Sequence, residues 1–166
     1  MIHKVFAFGS NLSVDQMGDR CPGARVLGTA LLRNHRLVFV GHSARWGGAV
    51  ASVEPAPGER VPGLVYGIDD NDLARLDRFE GAPFVYQRVR KNVLGPSKRA
   101  WRVQTYELEA PCGAPSKEYF GQILRSYRMW GFDAAGLADA VMRADTRPRV
   151  LDAARRAAVA AKAIKR

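Results

Sequence analysis

Short apolar runs broken by glycine and proline fill the chain up to about residue 110, and after Cys112-Gly113 the pattern turns helical. Lys4 to Phe8 is an apolar run ending in Gly-Ser-Asn, which predicts a buried strand that feeds a loop. Ser13 and Gln16 have capping-box spacing and predict a short helix from about Val14 to Arg20, ended by Cys21-Pro22-Gly23. Arg25 to Leu32 and Arg36 to Val40 flank the polar Arg33-Asn34-His35 and read as a hairpin. Gly48 to Glu54 and Val61 to Ile68 read as two further strands, with a turn at Pro55-Ala56-Pro57-Gly58 between them. Val85 to Val93 and Trp101 to Leu108 form the last β pair, joined through Gly95-Pro96-Ser97.

One helix interrupts the strands. Asp69 to Asp72 offers several N-caps, Leu73 to Glu80 fills two turns, and Gly81 suits a left-handed C-terminal position. Pro115-Ser116 opens a helix that ends at Trp130-Gly131, and Asp133 caps another to about Arg143. Arg149 to Lys165 is alanine-rich and basic, a weak helix or tail. The economical architecture is α+β: a mixed, mostly antiparallel sheet curled towards a small barrel, with flanking helices and a helical C-terminal third. Residues 1–145 are expected as one domain and residues 146–166 as a basic appendage.

Glu80 does not fit a purely structural account of its helix. At about 100° per residue, Leu73, Leu76 and Glu80 fall within roughly 60° of one another, so the glutamate shares the stripe the leucines bury. It also ends the helix, where the macrodipole is negative. Partial burial and the dipole both favour the neutral acid, the condition for a carboxyl that exchanges protons near neutral pH. A frayed last turn would instead leave Glu80 in water, or paired with Arg78 or Arg88. The Gly9-Ser10-Asn11-Leu12 loop joins a strand to a helix, and its free N–H groups suit a carboxylate or a developing oxyanion. A plain turn with a cap has the same residues. Gly47-Gly48 marks a bulge or a close approach, and Trp46 beside it is either a pocket wall or core.

The 166 residues are enough for one domain that buries about two thirds of its unfolded surface, and 47 % apolar with 25 % charged residues is ordinary for such a domain. Two cysteines make no disulfide framework, and no run near the start resembles a signal peptide or membrane span, so a cytoplasmic location is expected. Cys21, before Pro22 at a helix end, reads as a small buried residue rather than a nucleophile. The three histidines lack metal-ligand spacing, and no phosphate loop, dinucleotide fingerprint or nucleophile elbow is present. Chemistry without metal, cofactor or covalent intermediate is therefore expected. The net charge of +10 lies wholly after residue 80. Its scatter over strands and helices, without interleaved aromatics, reads as a solvated basic surface, with nucleic acid or another anionic partner as the alternative.

Four of these segments carry a resemblance. Val5-Phe6-Ala7-Phe8-Gly9-Ser10-Asn11-Leu12 is similar to the apolar strand and Tyr-Gly-Ser-Asn-Leu signature of the γ-glutamylcyclotransferase-like family. Leu76-Asp77-Arg78-Phe79-Glu80-Gly81, followed by Tyr86-Gln87-Arg88, resembles its Leu-Asp-x-x-Glu-Gly and Tyr-x-Arg segments. Trp46-Gly47-Gly48-Ala49 is similar to its Gly-Gly-x-Ala strand, and Pro115-Ser116-x-x-Tyr119 to a helix start. The resemblance implies a barrel-like α+β fold and release of 5-oxoproline from a small γ-glutamyl amide or peptide. It places Glu80 in the catalytic position and Val5, Phe6, Ala7, Phe8, Gly9, Ser10, Asn11, Leu12 and Gly48 about the substrate. Trp46, Tyr86, Arg88 and Tyr119 are further candidates. Phe8 stands where the signature has tyrosine, and Gly136 lies in the helix where some relatives supply a substrate-contacting tyrosine. Alternatives on the same fold are an amide hydrolase or a γ-glutamylamine cyclotransferase. A basic anion- or nucleic-acid-binding module with a vestigial pocket is another.

Overall fold

The computed structural model describes residues 1–144. The Arg149 to Lys165 helix and the 146–166 appendage lie outside the described residues. β1 (His3–Ala7) leads through a single 3₁₀ turn (Ser10–Leu12) into α1 (Val14–Arg20). Then follow β2 (Arg25–Ser43), β3 (Gly48–Ile68), α2 (Asp70–Glu80), β4 (Gln87–Leu94), β5 (Ala100–Glu107) and α3 (Lys117–Trp130). A fourth helix, α4, begins at 135 and runs to 144, the last described residue. The helix ends follow local chemistry: Ser13, Asp69 and Ser116 each cap with a side-chain oxygen, and Gly81 and Gly131 close α2 and α3 in the left-handed conformation.

The five strands close into a barrel in the order β1-β3-β2-β4-β5. All pairs are antiparallel except β1 with β5, which meet in parallel at Val5 and Gln104. The strands are covered on both faces over much of their length: β1 at Val5, Phe6 and Ala7, β2 from Leu37 to Val40, and β3 from Gly48 to Val53 and from Gly63 to Ile68. Phe6, Phe39, Leu64, Tyr66 and Leu76 fill the interior with Ile123 and Tyr127 of α3.

Two of the expected turns are corrected. Arg33-Asn34-His35 does not reverse the chain: β2 continues through it, and its partners lie in β3, from Arg25 opposite Gly67 to Ser43 opposite Gly48. Nor is Pro55–Gly58 a turn between strands. It lies within β3, where the register shifts from Arg33 opposite Arg60 to His35 opposite Pro55. Residues 56–59 bulge out there against Asn34, whose Oδ1 accepts from the Gly58 amide at 3.1 Å while Asn34 takes a φ of 55°. Local polarity marked the irregularity correctly but not its topology. The register on either side of the irregularity, Arg33 with Arg60 and His35 with Pro55, joins residues 27 and 20 apart, which no local signal encodes.

Candidate functional site

The end of β1, the 3₁₀ turn, the end of α2, the start of β3 and the start of α3 converge on a cavity of about 300 Å³. Pockets of this size hold small ligands. Phe6, Ala7, Phe8, Gly9, Ser10 and Asn11 line it on one side, Glu80 and Tyr86 on another, and Trp46 and Tyr119 on a third. Val5 and Leu12 are buried in the core behind that wall rather than in it. Arg88 lies outside: its Nη1 donates to Asp77 Oδ2 at 3.0 Å on the half-exposed face of α2. Gly48 is also outside, and its contribution is to chain packing. A Cβ there would come within 2.7 Å of the Ser116 nitrogen and 2.9 Å of the Ala114 oxygen. Gly136 lines a separate cavity, beyond the end of α3.

Glu80 reaches the cavity because Leu73 and Leu76 draw their face of α2 into the core. Its side chain is 14 % exposed. Oε1 accepts from Asn11 Nδ2 at 2.9 Å and lies 3.3 Å from Arg20 Nη1. Among the described residues, Oε2 has no protein donor. Burial raises the carboxyl's pKa above the ordinary glutamate value, against the opposing pull of Arg20 and the Asn11 hydrogen bond. Arg20, buried in the last turn of α1, is lowered by the same desolvation while Glu80 raises it. Neither partner fully compensates the other's loss of water, so the pair is poised rather than locked.

The loop is braced through its carbonyls and side chains. Tyr66 donates its hydroxyl to the Asn11 carbonyl at 2.9 Å, and Gln122 Nε2 donates to the Ser10 carbonyl at 3.1 Å. Gln16 Nε2 donates to Ser10 Oγ at 2.9 Å and Asn11 Oδ1 at 3.0 Å, and Arg20 Nη1 also donates to Asn11 Oδ1 at 3.0 Å. The amides of Leu12 and Ser13 close the turn on Gly9 and Ser10, which leaves those of Ser10 and Asn11 without an acceptor among the described residues. Gly9 sits against β3: a Cβ would meet Ala51 Cβ at 3.1 Å and the Tyr119 hydroxyl at 3.4 Å. Ala51 is pinned twice, its N–H donating to Tyr119 Oη and its carbonyl accepting from Tyr86 Oη, each at 3.0 Å. Burial holds both phenols well above the usual tyrosine range, so they act as neutral struts.

Arg20, Gln16, Gln122 and Tyr106, which also lines the cavity and donates its hydroxyl to Asp77 Oδ1 at 2.7 Å, were not picked out from the sequence. Gln16 and Arg20 are four apart on α1 and so share one face directed back at the loop, a signal that was present. Gln122 and Tyr106 left none, since their places depend on how α3 and β5 pack. Cys21 is buried, its thiol reaching the Asp72 carbonyl at 3.4 Å and pushed up by burial to about 11, far from a nucleophile's range.

The Gamma-glutamyl cyclotransferase, AIG2-like family model matches residues 5–127. The chain belongs to this family. A Bos taurus gamma-glutamylcyclotransferase is 32 % identical over 80 residues, covering 46 % of this chain and 43 % of the relative. The Mus musculus gamma-glutamylcyclotransferase is 34 % identical over the same shares. The chain thus spans less than half the length of the curated relatives it matches. A solved gamma-glutamyl cyclotransferase structure superposes with a TM-score of 0.73 at 25 % identity, over 79 % of this chain and 81 % of that one. The family's barrel is the fold seen here, and no helix among the described residues is long and apolar enough to cross a membrane.

Proposed function

We propose that this cyclotransferase-family chain cyclises a γ-glutamyl amide or peptide to 5-oxoproline and releases the amine, with Glu80 as the proton carrier. The observation that carries the reading is the buried Glu80 carboxyl, held by Asn11 of the Gly9–Leu12 loop, with one oxygen unpaired in the cavity that loop lines.

The substrate supplies its own nucleophile, so the enzyme mainly has to fold it and move protons. Holding the α-amine beside the γ-carbonyl makes ring closure intramolecular and removes most of its entropic barrier. In the substrate-free site Glu80 is an anion or a neutral acid depending on pH, because burial and Arg20 pull in opposite directions. As carboxylate, it takes a proton from the α-ammonium through Oε2. The freed amine forms a C–N bond to the γ-carbon, and the carbonyl oxygen becomes an oxyanion. Glu80 then gives its proton to the departing nitrogen as the original amide bond breaks. The second proton lost by the ammonium leaves on the amine product. The Ser10 and Asn11 amides suit the oxyanion or the α-carboxylate, and one such donor is worth about 3 kcal/mol in the transition state. Positioned acid/base transfer contributes about 10²–10⁴-fold.

Glu80→Gln keeps the side-chain volume and an oxygen for Asn11 and Arg20, but carries no proton. Turnover of γ-glutamyl dipeptides, followed as 5-oxoproline by chromatography, is expected to fall at least about a hundredfold in a folded protein. Near-native release by the variant, or free glutamate as the product in place of 5-oxoproline, would refute the assignment; the latter would mean hydrolysis.

A further inference from the structure

Side chains from α3, α1 and the Gly9–Leu12 loop join in one line that ends on Glu80. Gln122 Nε2, on α3, donates to the Ser10 carbonyl at 3.1 Å and to Gln16 Oε1 at 2.8 Å. Gln16 Nε2, on α1, donates to Ser10 Oγ at 2.9 Å and to Asn11 Oδ1 at 3.0 Å. Asn11 Nδ2 then donates to Glu80 Oε1 at 2.9 Å. The amides of Gln122, Gln16 and Asn11 thus stand head to tail between a backbone carbonyl and the carboxyl group.

A side-chain amide has a donor end and an acceptor end, so an isolated link could face either way. The first link here cannot. A peptide carbonyl only accepts, so Gln122 must turn its NH2 to Ser10, and the second hydrogen of that group goes to Gln16. Gln16 must answer with its oxygen, which leaves its NH2 for Asn11. Asn11 in turn answers with Oδ1 and keeps its NH2 for Glu80. Turned the other way, Asn11 would set an oxygen against the carboxylate, and a charge-assisted hydrogen bond would be lost. Arg20 Nη1 reaches both Asn11 Oδ1 and Glu80 Oε1, so it and Asn11 converge on the same carboxyl oxygen.

We propose that Gln16 and Gln122 are positioning residues: the order of donors they impose turns the Asn11 NH2 to Glu80 and reserves Oε2 for proton transfer. Neither is hydrogen-bonded to Glu80, and each acts through Asn11. The inference rests on the cyclisation reading for the proton transfer, but not for the alignment of the amides.

The test is a double-mutant cycle with two readouts. One is kcat for 5-oxoproline release from γ-glutamyl-alanine on the alkaline plateau. The other is the carbon-13 titration midpoint of the Glu80 carboxyl, assigned by its absence from Glu80→Gln. Gln122→Met fills similar space without a donor. It is expected to lower kcat about three- to tenfold, the worth of one amide hydrogen bond, and to raise the midpoint by about half a pH unit. In an Asn11→Ala background the same substitution should change neither, because no amide is left to orient. Gln16→Met should repeat both results. Gln16→Lys offers donors only, so it needs no partner to orient it and should make Gln122→Met harmless. Arg20 and Arg45, the charges that bear on Glu80, stay in every variant. Equal losses with and without Asn11 overturn the proposal, since Gln122 would then only brace the Ser10 carbonyl. A native kcat and midpoint in folded Gln122→Met and Gln16→Met overturn it too. No 5-oxoproline from the native protein overturns the cyclisation reading, and the titration then decides the alignment by the same criteria.

Discussion

Replacing Arg20 by Met removes the one cation in contact with Glu80 while leaving the rest of the bracing in place. Asn11 Oδ1 keeps Gln16 Nε2 at 3.0 Å, and Asn11 Nδ2 keeps Glu80 Oε1 at 2.9 Å. The ion pair spans 3.3 Å. At that separation and an effective dielectric of about 20, the attraction is about 5 kcal/mol. Taking half of it as acting on the Glu80 protonation equilibrium leaves about 2.5 kcal/mol, which lowers the ionised fraction at acidic pH about 70-fold. Because the base must be ionised in the free enzyme, kcat/KM on the acid side of the pH profile should fall by about that factor. The loss should shrink as pH rises and the carboxyl ionises again. Arg20→Lys, which keeps the charge, should retain most of the acid-side activity. The assay is 5-oxoproline release between about pH 5 and 9, with circular dichroism to establish folding. A folded Arg20→Met protein whose loss is the same at every pH would refute the reasoning. Arg20 would then brace the loop without acting on the charge of Glu80.

Two further outcomes follow from the same structure. The Glu80 pKa is raised on folding, so the native state holds its proton to higher pH than the unfolded chain does. Stability should therefore fall as pH rises from the ordinary glutamate value through the raised one, and Glu80→Gln should lose that slope, measured as urea midpoints across the window. Gly48→Ala should destabilise by about 1–3 kcal/mol in urea melts, because its Cβ would press on the 114–116 backbone; a neutral result would mean that this segment yields freely.

Much of the site was legible because its parts are local devices. The Gly9–Leu12 loop lies between an apolar run and a capped helix, and Glu80 interrupts a leucine stripe just before a glycine terminator. Both features are written within a dozen residues. Arg88 shows the limit of such reading. It follows the glutamate in sequence, yet β4 carries it to the outer face, where Asp77 takes its charge. Arg20 shows the converse. Its spacing from Gln16 was visible, but nothing local says that a guanidinium 60 residues from Glu80 becomes its countercharge.

The sequence by itself determined the helices and their ends, the strand-forming stretches and the residue types at the loop and the glutamate. These depend on capping, on φ preferences and on hydrophobic period, all of which act between near neighbours. Only the tertiary structure decided that β2 runs straight through Arg33-Asn34-His35, that Ala51 is gripped by Tyr86 and Tyr119, and that Asn11, Arg20 and Glu80 meet. Those outcomes depend on which distant backbone groups share hydrogen bonds once water is excluded. Closing the barrel settles that choice for the whole chain at once.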